Sequence, residues 1–342
     1  MTCKTFLVFI LALVFASRDM SASERQAPVI VAYVTSWSDV IPDPQYITHI
    51  NYAFGHVTDT FDGVRVDNPD RLRRLADLKK DAPGLKVMLS VGGWGSGRFS
   101  EMAADSLKRA GFAADCRRTV DEFGLDGIDL DWEYPTSDAA GISSSPDDTA
   151  NFTLLMRDLR KALGPESLLT LATVADGKYI DFKGILPYID FVNTMTYDMG
   201  GGESHHGALY PSAITGWMTA SQGIEAHLAK GVPPSKLVMG MPFYGRGRKP
   251  FAQYGAYGEI SVPVGYTERW DSVACAPYVV EDATGAFVCG FENPRSIAAK
   301  CKYIESRGLR GAMYWDASLD NDARDLTRAV FNGINQKHKS TH

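Results

Sequence analysis

The stretch richest in possible chemistry is the octet Asp126-Gly127-Ile128-Asp129-Leu130-Asp131-Trp132-Glu133. Side chains of a strand alternate between faces, so Asp129, Asp131 and Glu133 share one face while Ile128, Leu130 and Trp132 share the other. If the apolar set packs on helices, the acids climb an interior in steps of about 6–7 Å. Like charges in such a site raise one another's pKa, and at least one proton stays bound. Glu133, the outermost, is then a general acid kept protonated by Asp131 beneath it. A solvated strand or a divalent-cation site is the competing reading. A strand covered on both faces argues against solvation, and an ordered climb of acids suits proton transfer better than chelation. No Cys/His spacing resembles a zinc site, so neither a metal nor a cofactor is expected.

The elements that must hold this ladder recur along the chain. Short β-rich runs lie at Val29 to Val34, Ile47 to Phe54, Leu85 to Val91, Asp126 to Trp132, Leu168 to Val174, Phe191 to Thr196, Leu237 to Phe243 and Gly311 to Trp315. Amphipathic segments separate them, and Asn68-Pro69, Ser145-Pro146 and Asn293-Pro294 each offer a polar N-cap followed by proline at the first helical position. Strand then helix, eight times, predicts an α/β fold in which a parallel sheet closes into a (β/α)8 TIM barrel. The interval between the seventh and eighth runs is too long for one crossover helix. Its portion at 247–292 is rich in Gly, Tyr and alternating apolar residues and reads as a small β-rich insertion, which at that position emerges on the C-terminal face.

Composition narrows the partners. The 342 residues are 45% hydrophobic with a formal charge of -6 and no basic runs, which leaves no electrostatic footprint for nucleic acid. Residues 1–23 carry Lys4, an unbroken apolar run from Phe6 to Ala16 and small residues at cleavage spacing, the pattern of a signal peptide too short to span a bilayer. The expected mature chain, residues 24–342, is a monomeric catalytic barrel, secreted or periplasmic and without a membrane anchor. In such a compartment Cys275 and Cys289, flanking a hairpin with its turn near Ala283-Thr284-Gly285, are candidates for a disulfide, whereas Cys116 and Cys301 read as buried free thiols.

The octet resembles the catalytic signature of glycoside hydrolase family 18, the chitinases and related endo-β-N-acetylglucosaminidases. Four further segments match in order: Ser90-Val91-Gly92-Gly93, Met195-Thr196-Tyr197-Asp198, Met241-Pro242-Phe243-Tyr244-Gly245-Arg246 and Met313-Tyr314-Trp315. The resemblance implies substrate-assisted retention, an exception to the two-carboxylate scheme. Glu133 would protonate the glycosidic oxygen while the substrate's 2-acetamido oxygen attacks C1. Asp131 would orient the acetamido N–H, Asp129 would hold the proton that Asp131 exchanges, Tyr197 would bond the acetamido oxygen and Asp198 would fix the distorted sugar. Trp315 would lie beneath that sugar, with Phe54, Gly93, Met195, Tyr244 and Arg246 as further substrate-binding positions.

Trp37, Trp94, Trp217 and Trp270 fall at or near βα loops, and of these Trp94 and Trp217 are favoured as sugar platforms. His205 and His206 are placed at the groove rim. The insertion is smaller than the one that walls a tunnel in exo-acting relatives, which favours an open groove and endo-type or short-oligomer cleavage. The expected substrate is chitin or N-acetylglucosamine oligosaccharides. Two alternatives remain, an endo-β-N-acetylglucosaminidase acting on N-glycans, against which Trp132 argues, and a chitin-binding lectin, against which the intact acids argue.

Overall fold

The computed structural model describes residues 27–335, so the leader expected at 1–23 lies outside the described residues. Eight parallel strands form the barrel: Val29–Thr35, His49–Val57, Lys86–Gly92, Gly127–Asp131, Leu168–Val174, Val192–Met195, Leu237–Pro242 and Gly311–Trp315. Each pairs with its sequence neighbour, and the first also pairs with the eighth, which closes the ring. The strands coincide with the eight apolar runs to within a few residues, because a strand buried on both faces reads as a nearly continuous apolar run.

Alternation sorts the side chains into two cores. Ile30, Ala32 and Val34 of the first strand and Ile128, Leu130 and Trp132 of the fourth face the helices, where Trp132 stacks on Phe99 at 5.3 Å. Val29, Val31 and Tyr33 face inward with Phe191, Met195 and Met313. The octet divides as its period requires, and its acids point into the barrel.

The crossovers depart from a uniform pattern at the first connection and at Ser145-Pro146. Between the first two strands lies only the 3-10 turn Pro44–Tyr46, and the last helix, Asp325–Asn335, packs against that turn. Asn68 caps helix Pro69–Asp77, and Asn293 forms a capping box on helix Pro294–Arg307. At Ser145-Pro146 the helix begins later, at Asp148, whose carboxylate accepts from the Ser145 and Thr136 amides and folds Ser145-Pro146 into the preceding turn.

After the seventh strand the chain builds an antiparallel five-stranded sheet. From edge to edge its order is Gly255–Ala256, Tyr244–Gly247, Phe287–Gly290, Ala276–Glu281 and Tyr266–Asp271. Its first strand starts at Tyr244, so Tyr244 and Arg246 are carried by the insertion rather than by the barrel strand the motif spans. The expected Cys275–Cys289 bridge is absent, and Cys116, Cys275, Cys289 and Cys301 are all free. The hairpin register explains this: Cys289 faces Val279, four residues past Cys275, or about 13 Å along a strand, far outside disulfide reach.

Candidate active site

The ladder ends in a cleft of about 670 Å³ at the C-terminal mouth. Asp129, fully buried, sits at the bottom. Its Oδ2 accepts from the Tyr33 hydroxyl and Ser90 Oγ, both at 2.8 Å, and its Oδ1 accepts from Thr170 Oγ1 at 2.6 Å and Asn193 Nδ2 at 3.1 Å. Burial raises its pKa against the pull of those four donors. Both oxygens are engaged, and three of the four partners are hydroxyls, which accept as well as donate, so the pocket holds Asp129 with or without a proton.

Asp131, one step up, is 4% exposed, and its Oδ1 has no hydrogen-bond partner among the described residues. Burial first, then the charges of Glu133 and Asp129, push it well above the usual carboxylate range. Glu133 is pushed up to about 7, chiefly by burial, with Asp198 adding to the rise and the Tyr134 phenol opposing it. Desolvation is thus the larger cause of its raised pKa, where the sequence reading assigned that part to Asp131. Two adjacent carboxyls that both resist ionisation, the upper one poised near neutrality, are the electrostatics of a general acid.

The sixth strand delivers Tyr197 and Asp198 across the barrel. Among the described residues the Tyr197 hydroxyl makes only a long contact, 4.0 Å, to the Met313 sulfur, which leaves its proton available to a ligand. Burial works to raise Asp198, but His206 and the bidentate Arg246 guanidinium, at 2.7 and 2.6 Å, win and hold it well below the usual range. Arg246 also lies over the rings of Tyr244 and Tyr254, so the insertion secures this corner. Trp315 stacks on Phe54 at 5.6 Å and donates its indole N–H to the Tyr254 hydroxyl at 3.2 Å. Gly93 permits that floor: its φ is +92°, and a Cβ there would lie 2.6 Å from the Phe54 ring.

Phe54, Trp94, Asp131, Glu133, Met195, Tyr197, Asp198, Tyr244, Arg246 and Trp315 therefore share one cleft, with Asp129 beneath it and Gly93 behind it. Trp217 is not brought in: it is 58% exposed on the loop after the sixth strand, outside the cleft lining, while Trp37 takes a place in that lining. Trp270 lies under the Arg295 guanidinium, 3.9 Å from its ring centre. His205 and His206 are buried rather than at the rim, because the insertion covers their loop. His205 meets the stacked pair Tyr278 and Phe287 edge-on, and His206 Nδ1 lies 3.6 Å from Asp198. Sequence reasoning missed Tyr33, Tyr134 and Tyr254. Tyr33 was legible from the alternation Val29, Val31, Tyr33, and Tyr134 from its place after the ladder; Tyr254 had no local signal.

Among the described residues no cluster of His, Cys, Asp and Glu has the arrangement to hold a metal ion. The chain is 30% identical to chitinase A1 of Niallia circulans over 90% of its own length, and spans 59% of that relative. It is 31% identical to chitotriosidase-1 of Mus musculus, covering 86% of this chain and 74% of that one. The solved structure of a glycoside hydrolase family 18 N-acetylglucosaminidase from Paenibacillus barengoltzii superposes with a TM-score of 0.82 at 35% identity, over 90% of this chain and 99% of that one. The family model "Glycosyl hydrolases family 18" matches residues 29–320, and the chain belongs to that family.

Proposed function

We propose that this protein hydrolyses the β-1,4 linkages of chitin or its N-acetylglucosamine oligomers. The observation that carries the reading is the inward ladder Asp129, Asp131, Glu133, whose top carboxyl reaches an open aromatic cleft with its pKa pushed up to about 7. Relatives named chitinase, chitotriosidase and N-acetylglucosaminidase support the substrate class. A pyranose stacked on Trp315 presents its C–H face to the ring. Glu133 gives its proton to the glycosidic oxygen as the C1–O bond breaks, and the 2-acetamido oxygen bonds to C1 to form an oxazolinium ion. Asp131, its proton handed down to Asp129, accepts from the acetamido N–H and balances the charge of the ring, and Tyr197 donates to the acetamido oxygen. Glu133, now a carboxylate, takes a proton from the water that attacks C1 and restores the acetamide. The same reading includes export by the leader and action as a monomer.

Glu133→Gln tests the assignment: kcat on an aryl chitobioside is expected to fall by about 10²–10⁴-fold, with oligomer affinity retained. Undiminished turnover refutes the acid. Rapid NMR of the first product is expected to show the β-anomer, and an α-anomer overturns the acetamido mechanism.

A further inference from the structure

Helix Pro69–Asp77 carries a guanidinium with no obvious structural reason to be charged. Arg71 is 1% exposed and forms no ion pair among the described residues; the acid whose charge reaches it is Asp39. A side chain of similar length without charge would fill the same space at lower desolvation cost. What a guanidinium adds is a rigid planar set of directed donors, and here those donors converge on one loop. Arg71 Nε donates to the Thr35 carbonyl at 2.9 Å, and Nη2 donates to Ser38 Oγ at 3.1 Å and to the Val40 carbonyl at 2.7 Å. Asn68, the helix cap, adds Nδ2 to the Ser36 carbonyl at 3.1 Å, and the Ser36 amide donates to the Ala53 carbonyl at 2.6 Å.

These bonds grip the chain on both sides of Trp37. The indole itself is 67% exposed, lines the cleft, and stands 6.4 Å from Trp315 and 6.3 Å from Phe54 between ring centres. With two-thirds of the indole in solvent, its orientation depends on its backbone as much as on those two ring contacts.

We propose that Arg71 is a positioning residue for Trp37 and so sets how well the enzyme holds saccharides that extend beyond Trp315. This rests on the chitin-oligomer reading above. Arg71 touches no substrate; it fixes the platform from behind.

The test compares a chitobioside with a hexamer of N-acetylglucosamine in wild type, Trp37→Ala, Arg71→Met, Arg71→Lys and the double variant Trp37→Ala/Arg71→Met. Loss of one stacking platform corresponds to about a 3–10-fold rise in hexamer KM. Arg71→Met is expected to reproduce much of that rise with kcat unchanged and chitobioside KM unaffected. Arg71→Lys, which keeps the charge and loses the fork, is expected to behave like Arg71→Met. The double variant is expected to be no worse than Trp37→Ala alone, because both changes remove one contact. Additive losses, or an unchanged hexamer KM in Arg71→Met, overturn the proposal. If Arg71→Met does not fold, Arg71→Lys carries the test, and an unchanged hexamer-to-dimer KM ratio there overturns the proposal. Amide exchange of residues 35–40 reads the clamp without substrate. Unchanged exchange in Arg71→Met sinks the clamp, whereas faster exchange with no turnover of either saccharide by wild type sinks the chitin reading alone.

Discussion

In the proposed reaction Glu133 must be protonated to act, yet it is the least buried rung of the ladder. Its pKa of about 7 makes activity fall as pH rises through neutrality, so the basic limb of the kcat/KM profile is expected near pH 7. Asp198 contributes to that value through its negative charge, so Asp198→Asn is expected to move the limb to lower pH; a profile that stays put would detach Asp198 from the acid. The same shift bears on stability. A carboxyl raised in the folded state stabilises it fully below its unfolded pKa, and that contribution is lost as pH rises through about 7. At pH 8 the wild type therefore carries a charge the site disfavours, and Glu133→Gln is expected to be more stable there by on the order of 1 kcal/mol. Thermal melts at pH 4 and pH 8 check this, with the difference vanishing at the acid end.

At the scale of elements, the sheet register does the positioning. The third strand abuts the ladder through Gly92, whose φ is +131° and where a Cβ would lie 2.0 Å from the Asp131 carbonyl oxygen. Gly92→Ala is expected to cost at least about 2 kcal/mol and most of the activity, since relieving the clash displaces the backbone under Asp131. Denaturant melts and kcat read the two losses. Asn293→Ala, which dismantles the capping box ahead of helix Pro294–Arg307, is expected to cost about 1 kcal/mol with little effect on kcat. The strands and the inward face of the ladder were legible because both follow from a period of two over covered faces. The start of the helix at Asp148 was not, because a side chain bonding backward to Ser145 and Thr136 outcompeted the Ser-Pro signal.

Across the whole molecule, the barrel was readable and the lid on its corner was not. Tyr244, Arg246 and Tyr254 reach Tyr197, Asp198 and Trp315 from a sheet whose pairing is antiparallel and non-local, and neither its start nor its register leaves a local trace. The same blindness placed His205 and His206 at the groove rim and joined Cys275 to Cys289. With all four described cysteines free, reductant is expected to leave the melting temperature unchanged. Of those four, Cys275, the one that is not buried, is expected to react first with a thiol reagent, and a reductant-sensitive melt would contradict the register.

Asp129 deserves a different description from the one its place in the reaction suggests. Its four partners come from the first, third, fifth and sixth strands, so a single carboxyl fastens half of the staves from the inside. Because burial holds its pKa above the ordinary value, the folded barrel binds that proton more readily than the unfolded chain does, so acid alone does not undo the fastening. A variant such as Asp129→Leu, which leaves four buried donors without an acceptor, should be recognised first by a softer scaffold and only second by slower turnover.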